Sequence, residues 1–256
     1  MTESNLPQGM GEHIVRRFDD QIFELQSSAV AMGLAVRQQL TAAGDALLRL
    51  SGSEAEAVAS RDILINRREL ELDRLVEFLF ASRQPQARDL RLLIGMLRIG
   101  IDLERAGDEI RSAAKGVLEE RRALGSAGAG PAASRFRDEL LAVHGQLTEM
   151  AEGILSSLLK FDASLAQKWM PKREAIRAAA REVEAGAAEA MESRTLATRE
   201  GLAVVRISRA FARIAAHLEN VGEAIVFMAE GRDVRQDHLE SLEASQRTAK
   251  TAGKAG

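Results

Sequence analysis

At 256 residues, 46% hydrophobic and 29% charged, the chain has enough apolar material for one or two domains with a substantial core. A formal net charge of -3 excludes the broad basic field that a nucleic-acid binder presents to phosphates, and the absence of cysteine excludes disulfides and thiolate metal sites. Four prolines, no tyrosine and one tryptophan among abundant Ala, Leu, Glu and Arg point to an all-α protein. The start, MTESNLPQGMGEH, lacks the basic-then-apolar pattern of a signal peptide. The most apolar stretch, Leu92 to Ile101, is broken by Arg98 and falls short of a membrane span. The expectation is a soluble cytoplasmic protein.

Residues 1–11 are polar and glycine-bearing and read as frayed. From about Glu12 to Leu50, the set Ile14, Phe18, Ile22, Leu25, Ala29, Met32, Val36, Leu40 and Leu47 recurs every three or four residues, the mark of one buried helical stripe. Ser53 with Glu56 predicts a capping-box start for a second helix, which runs to about Ala81 on Val58, Ile65, Leu72, Leu75 and Leu79. Gln84-Pro85 ends it, because the residue before proline is pushed out of helical geometry. A third helix follows, with DLRLLIGMLRIGIDLERAGDEIRSAAK spanning Asp89 to Lys115. Short connections make these neighbours antiparallel, so residues 12–121 form a long three-helix bundle.

The segment LGSAGAGPAA, Leu124 to Ala133, is a linker, with no strand before it or Lys-Ser/Thr after it to make a phosphate loop. Beyond it the pattern restarts. Phe18-Asp19-Asp20-Gln21-Ile22 returns as Phe136-Arg137-Asp138-Glu139-Leu140 at an offset of 118, and Leu97-Arg98-Ile99 returns as Val205-Arg206-Ile207 at an offset of 108. The second copy, residues 134–235, carries helices near 134–159, 172–193 and 196–230, with Trp169-Met170-Pro171 opening the middle one. Residues 236–256 are polar and rich in Ala, Gly and Lys, and read as a disordered tail. The fold class expected is therefore all-α: two tandem long three-helix bundles, six antiparallel helices related by an internal repeat.

Two carboxylate pairs stand out. Glu69 with Asp73, and Glu104 with Asp108, each lie four residues apart on one helical face. Facing each other, they offer oxygen ligands suited to Mg, Mn, Ca or iron. Read blandly, they are solvated acids offset by Arg67, Arg68 and Arg105. In the second copy Glu104 maps to Ala212 and Asp108 to Ala216, and Glu182 is followed by Gly186, so any divalent or iron site belongs to the first bundle alone. Asp89, Arg91, Arg98 and Arg105, with the repeat-related Arg199 and Arg206, make a candidate partner-binding set; alternatively the arginines pair with Asp89, Asp102 or Glu200 and fix the bundle register. His217, near Asn220 and Glu223, reads first as a structural hydrogen-bonder. Met32, Met96, Met150, Met191 and Met228 read as core. No nucleophile elbow and no Glu-x-x-His motif offers catalysis.

Taken together, Ile65-Asn66-x-x-Glu69-x-x-x-Asp73, Arg83-Gln84-Pro85-x-Ala87-x-Asp89-Leu90-Arg91 and Leu103-Glu104-Arg105-x-Gly107-Asp108 resemble the PhoU family. So do Arg213-Ile214-Ala215, His217, Asn220, Glu223 and Glu230-Gly231-Arg232-Asp233-Val234-Arg235 in the second copy. The resemblance covers nearly the whole chain apart from both ends and the linker. It implies a non-enzymatic cytoplasmic adaptor, homodimeric, that connects the ATPase subunit of a phosphate ABC transporter to a sensor histidine kinase and represses the phosphate-starvation response. Membrane association then comes only through partners, and metal clusters bind through the paired carboxylate motifs. Two other readings stay open: an accessory subunit of another phosphate transporter, and a carboxylate metal-binding or storage protein.

Overall fold

The computed structural model describes residues 10–83, 85, 87–124 and 131–234. Among them are six long helices and a short one: α1 (Met10–Arg49), α2 (Gly52–Arg83), α3 (Ala87–Leu124), α4 (Pro131–Lys160), α5 (Ala163–Trp169), α6 (Lys172–Glu192) and α7 (Thr198–Glu230). The helices α1–α3 form one bundle, and α4, α6 and α7 form the second, as the repeat predicts. Helix α1 already includes Met10 and Gly11, which the sequence left outside it. Residues 1–9 and 125–130, and the expected disordered tail from 236, lie outside the described residues.

The α1 stripe is buried where it is described, from Leu25 through Met32 and Val36 to Leu47. The helix ends with Leu50 in left-handed geometry (φ 48°), while the Ser51 amide donates to the Ala46 carbonyl at 3.0 Å and the Leu50 amide to the Leu47 carbonyl at 3.2 Å. This closing pattern satisfies two carbonyls that the helix end leaves open. The start of α2 corrects the sequence reading, because the cap is Ser51, whose Oγ accepts from the Glu54 amide at 3.3 Å, and not Ser53. The tight exit from α1 brings Ser51 to the cap position two residues earlier than the Ser53-Glu56 pattern suggests. Helix α4 ends in the same way at Phe161 (φ 55°). There Asp162 caps α5 by accepting from the Leu165 amide at 3.0 Å, so a short helix stands before the predicted Trp169-Met170-Pro171 opening of α6.

The two bundles meet mainly where α3 lies antiparallel to α7, a more extensive contact than any other helix pair makes. Close approach is set by glycine. A Cβ added at Gly95 would stand 3.5 Å from the Ala224 carbonyl oxygen and against Met228; one at Gly116 would stand 3.4 Å from the Ala203 carbonyl oxygen and against Ile207. Ala203 lies 108 residues after Gly95, and Ala224 lies 108 after Gly116, so the repeat offset returns in space as a pseudo-two-fold between the bundles. Arg213 Nε to Glu109 (2.9 Å) and Arg206 Nε to Glu119 (3.1 Å) cross this seam. A single cluster of buried apolar side chains runs through both bundles.

Candidate functional site

Helices α2 and α3 pack so that Gly107 abuts Ile65 and Asp62, and Gly100 abuts Leu72. Along α2, Asp62, Asn66, Glu69 and Asp73 follow at spacings of four, three and four, one line down the helix. Along α3, Glu104, Asp108, Arg111 and Lys115 follow at four, three and four. The two lines run beside each other. Burial pushes the Glu104 carboxyl above its usual range, and the charges of Asp108, Glu69 and Asp62 push it further, against a smaller pull from Arg105. Glu69 is raised by burial and by Asp73, and Asp73 by burial and by Glu77. Three of the four expected carboxylates, Glu69, Glu104 and Asp108, thus share one field; Asp73 sits a turn further along α2.

Asp62 joins them, and sequence reading missed it. It is 4% exposed, its carboxyl is raised first by burial, and its Oδ1 has no hydrogen-bond partner among the described residues. Its spacing to Asn66 and Glu69 was the signal that would have found it. Arg111 supplies the counter-charge, with Nη2 on Asp108 at 2.5 Å and Nε on Asp62 at 3.4 Å. Among the described residues no three histidine or carboxylate groups converge closely enough to hold a metal ion. The Arg111 guanidinium neutralises part of this carboxylate set.

The arginine set does not form one continuous strip. Antiparallel packing sends Arg91 and Arg98 to the α7 C-terminal end of the seam and Arg199 and Arg206 to the opposite end, about 30 Å away at 1.5 Å per residue. Arg98 stacks 4.5 Å over Phe227 and reaches Asp233 at 3.5 Å. Arg91 lies beside Gly231, the left-handed cap residue of α7, and its Nε has no hydrogen-bond partner among the described residues. Arg206 pairs with Glu119, whereas Arg105 and Arg199 are exposed and make no ion pair with a described residue. Asp89 occupies the first turn of α3, where the helix dipole favours an acid. The anticipated pairings with Asp89, Asp102 and Glu200 are absent among the described residues, because the acids that meet these arginines come from the other bundle.

Asp102 is engaged instead by the second copy. Its Oδ1 accepts from His217 Nδ1 and from Asn220 Nδ2, each at 2.9 Å. His217 is therefore a structural hydrogen-bonder, and Asp102 ties α3 to α7. A small polar pocket of roughly 160 Å³ opens beside it, lined by Arg98, Asp102, Asn220, Glu223 and Ala224. Two further polar contacts between the bundles escaped sequence reading. Glu120, 1% exposed, meets Arg137 of α4 at 3.3 Å. His144 of α4 donates from Nε2 to the Leu40 carbonyl of α1 at 2.9 Å, and burial holds its imidazole below the usual range. Met32, Met96, Met150 and Met228 are buried as expected, and Met191 is half-buried. No described helix is long and apolar enough to cross a membrane.

Comparison with known proteins gives this geometry a lineage. The family profile described as PhoU domain matches residues 30–117 and again 140–225, one match in each bundle. The chain is 30% identical over 241 residues to the phosphate-specific transport system accessory protein PhoU homolog of Pseudomonas putida, covering 93% of this chain and 90% of that one. It is also 30% identical over 227 residues to the Pseudomonas aeruginosa protein of the same description, covering 87% and 89%. The crystal structure of PhoU from Pseudomonas aeruginosa superposes with a TM-score of 0.78 at 27% identity, over 84% of this chain and all of that one. The fold is shared as well with the phosphate transport system regulatory protein PhoU from Streptococcus pneumoniae, at a TM-score of 0.75 over 84% of this chain and 98% of that one. With a match in both repeats and relatives aligned along nearly its whole length, the chain belongs to the PhoU family.

Proposed function

We propose that this protein is a non-catalytic regulatory adaptor of a phosphate transport system, working as a cytoplasmic homodimer. It couples the state of the transporter ATPase subunit to a sensor histidine kinase and keeps the phosphate-starvation response off when phosphate is plentiful. The observation that carries this reading is the match to the PhoU domain in both bundles, with relatives named as phosphate-specific transport accessory proteins. Long helices offering extended outer faces suit a protein that works by contact. The test is deletion of the gene in cells grown at high phosphate. Starvation-response genes are expected to rise; normal repression refutes the kinase-coupled role. Altered phosphate uptake with intact repression assigns the chain to the transporter alone.

A second reading concerns the carboxylate line, favoured by the field that Asp62, Asp108 and Glu69 impose on Glu104. In it Glu69, Asp73, Glu104 and Asp108 take a divalent or iron cation once Arg111 gives way. Calorimetric titration with Mn²⁺ is expected to show a site in the first bundle that Glu104→Ala with Asp108→Ala removes. Unchanged stoichiometry in that double variant removes the reading.

A further inference from the structure

The outer face of α2 has a composition that the bundle does not require. Its inner face, Ala55, Val58, Ile65, Leu72, Val76 and Leu79, is buried against α1 and α3. A helix that packs on one side keeps its other side polar. Yet Ile63, Leu70 and Phe78 are 63%, 54% and 53% exposed. They fall at spacings of seven and eight residues, with Arg67 and Arg74 between them, so Ile63, Arg67, Leu70, Arg74 and Phe78 form one line along the helix. Neither arginine makes an ion pair or hydrogen bond with a described residue. Glu71 and Glu77, both exposed, project to either side of this line.

We propose that the outer face of α2 docks one acidic amphipathic helix of a partner protein. The seven-residue spacing of Ile63 and Leu70, with arginines four residues after each, is that of one side of a coiled-coil seam: apolar knobs flanked by charges that choose the partner. The line from Ile63 to Phe78 runs about 22 Å at 1.5 Å per residue, enough to seat roughly four turns of a second helix. Charge decides among occupants. A second copy packed antiparallel with Ile63 on Phe78 would set Arg67 against Arg74, a like-charge contact that disfavours it. A flat anionic bilayer would meet Glu71 and Glu77 along with the arginines, whereas a helix about 10 Å wide meets the central line alone. Carboxylates on a partner helix opposite Arg67 and Arg74 fit the free guanidinium groups. The inference stands on this face alone and does not depend on the kinase or transporter reading, whose failure would leave it intact.

The test selects binders to the full chain from a displayed library of helical peptides about sixteen residues long, apolar at heptad core positions and random at the flanks. Asp and Glu are expected to be enriched at the flanks. The selected peptide, made synthetically, should lose at least about tenfold in affinity for Arg67→Glu with Arg74→Glu, and for Leu70→Gln with Phe78→Gln. These are surface substitutions, and unchanged helical circular dichroism will show that the variants fold. Selection against the Arg67→Glu/Arg74→Glu chain should reverse the enrichment to Lys and Arg. Failure to select any peptide, absence of acidic bias, or binding indifferent to both double variants overturns the proposal. So do arginine-dependent sedimentation with phosphatidylglycerol vesicles in place of peptide binding, and a dimer that Phe78→Glu converts to monomer.

Discussion

At equivalent places in the two bundles, α3 carries Glu104 and Asp108 while α7 carries Ala212 and Ala216. A turn earlier, Ser208 of α7 is buried and donates to the Ala180 carbonyl of α6 at 2.8 Å, whereas its counterpart Gly100 lets Leu72 of α2 approach α3. The middle helices differ in the same sense. Helix α6 exposes no large apolar side chain, while α2 exposes Ile63, Leu64, Leu70 and Phe78. Of the eleven large hydrophobics exposed among the described residues, nine belong to α1–α3. The second bundle shows that this architecture packs without a carboxylate line and with little outward apolar surface. Those features of the first bundle are therefore not required by the architecture itself.

Breaking the join between the bundles is expected to have the largest effect. Glu120 is buried beside Arg137, and burial raises its carboxyl against the pull of that guanidinium. Arg137→Ala strands a buried charge, so urea unfolding should show a loss of about 3–5 kcal/mol. Replacing both partners, Glu120→Leu with Arg137→Leu, removes the stranded charge and should cost far less. Equal costs for the single and double variants would mean that the pair is solvated and adds nothing to the join.

The pseudo-two-fold offers a finer comparison. It exchanges the Gly95–Ala224 and Ala203–Gly116 contacts, each with its glycine on α3, but the side chain across from Gly95 is Met228 and that across from Gly116 is Ile207. Methionine bends out of the way; β-branched isoleucine does not. Gly116→Ala should therefore destabilise by about 1–3 kcal/mol through overpacking, partly offset by the helix propensity of alanine. Gly95→Ala should fall near neutral, as that same propensity balances a cheaper adjustment. The same thermal-melt shift for both would show that the carbonyls of Ala224 and Ala203, not the side chains, set the helix separation.

Much of this asymmetry was legible in the sequence, and the part that was not has a physical reason. Helical periodicity and the two repeat offsets gave the helices and their pairing, because burial stripes and short connections are local in the chain. The loss of Glu104 and Asp108 from the second copy was plain once the copies were aligned. What escaped was everything set by the meeting of the copies: Asp102 with His217 and Asn220, Glu120 with Arg137, and His144 on the Leu40 carbonyl. Those contacts span about 17 to 118 positions of sequence and obey no periodicity. The outer line of α2 was hidden differently. Val58, Ile65, Leu72 and Leu79 read from the sequence as the buried stripe and are buried, but the exposure of Ile63, Leu70 and Phe78 on the other side is seen only in the structure.

The smallest effect asks whether the carboxylate line differs in kind from any acid on a packed helix. Glu104 in the folded chain holds its proton at higher pH than its ordinary 4.5, first because it is buried and then because Asp108, Glu69 and Asp62 repel its charge. Over that interval the folded state binds more protons than the unfolded one, so stability falls as pH rises through the raised value and is recovered as pH drops towards 4.5. Glu104→Gln removes the charge without removing the side chain. It should be more stable than the native chain at pH 7 by a few tenths of a kcal/mol, with the advantage vanishing towards pH 4.5. The mirror substitution, Ala212→Glu, places an acid at the corresponding position, where Asp108 has an alanine counterpart in Ala216. Without that repulsion from a neighbouring carboxylate one turn away, its pH-dependent cost should be the smaller of the two. If the two profiles coincide, mutual repulsion contributes nothing at Glu104, and its carboxyl is raised by burial as any acid on a packed helix would be.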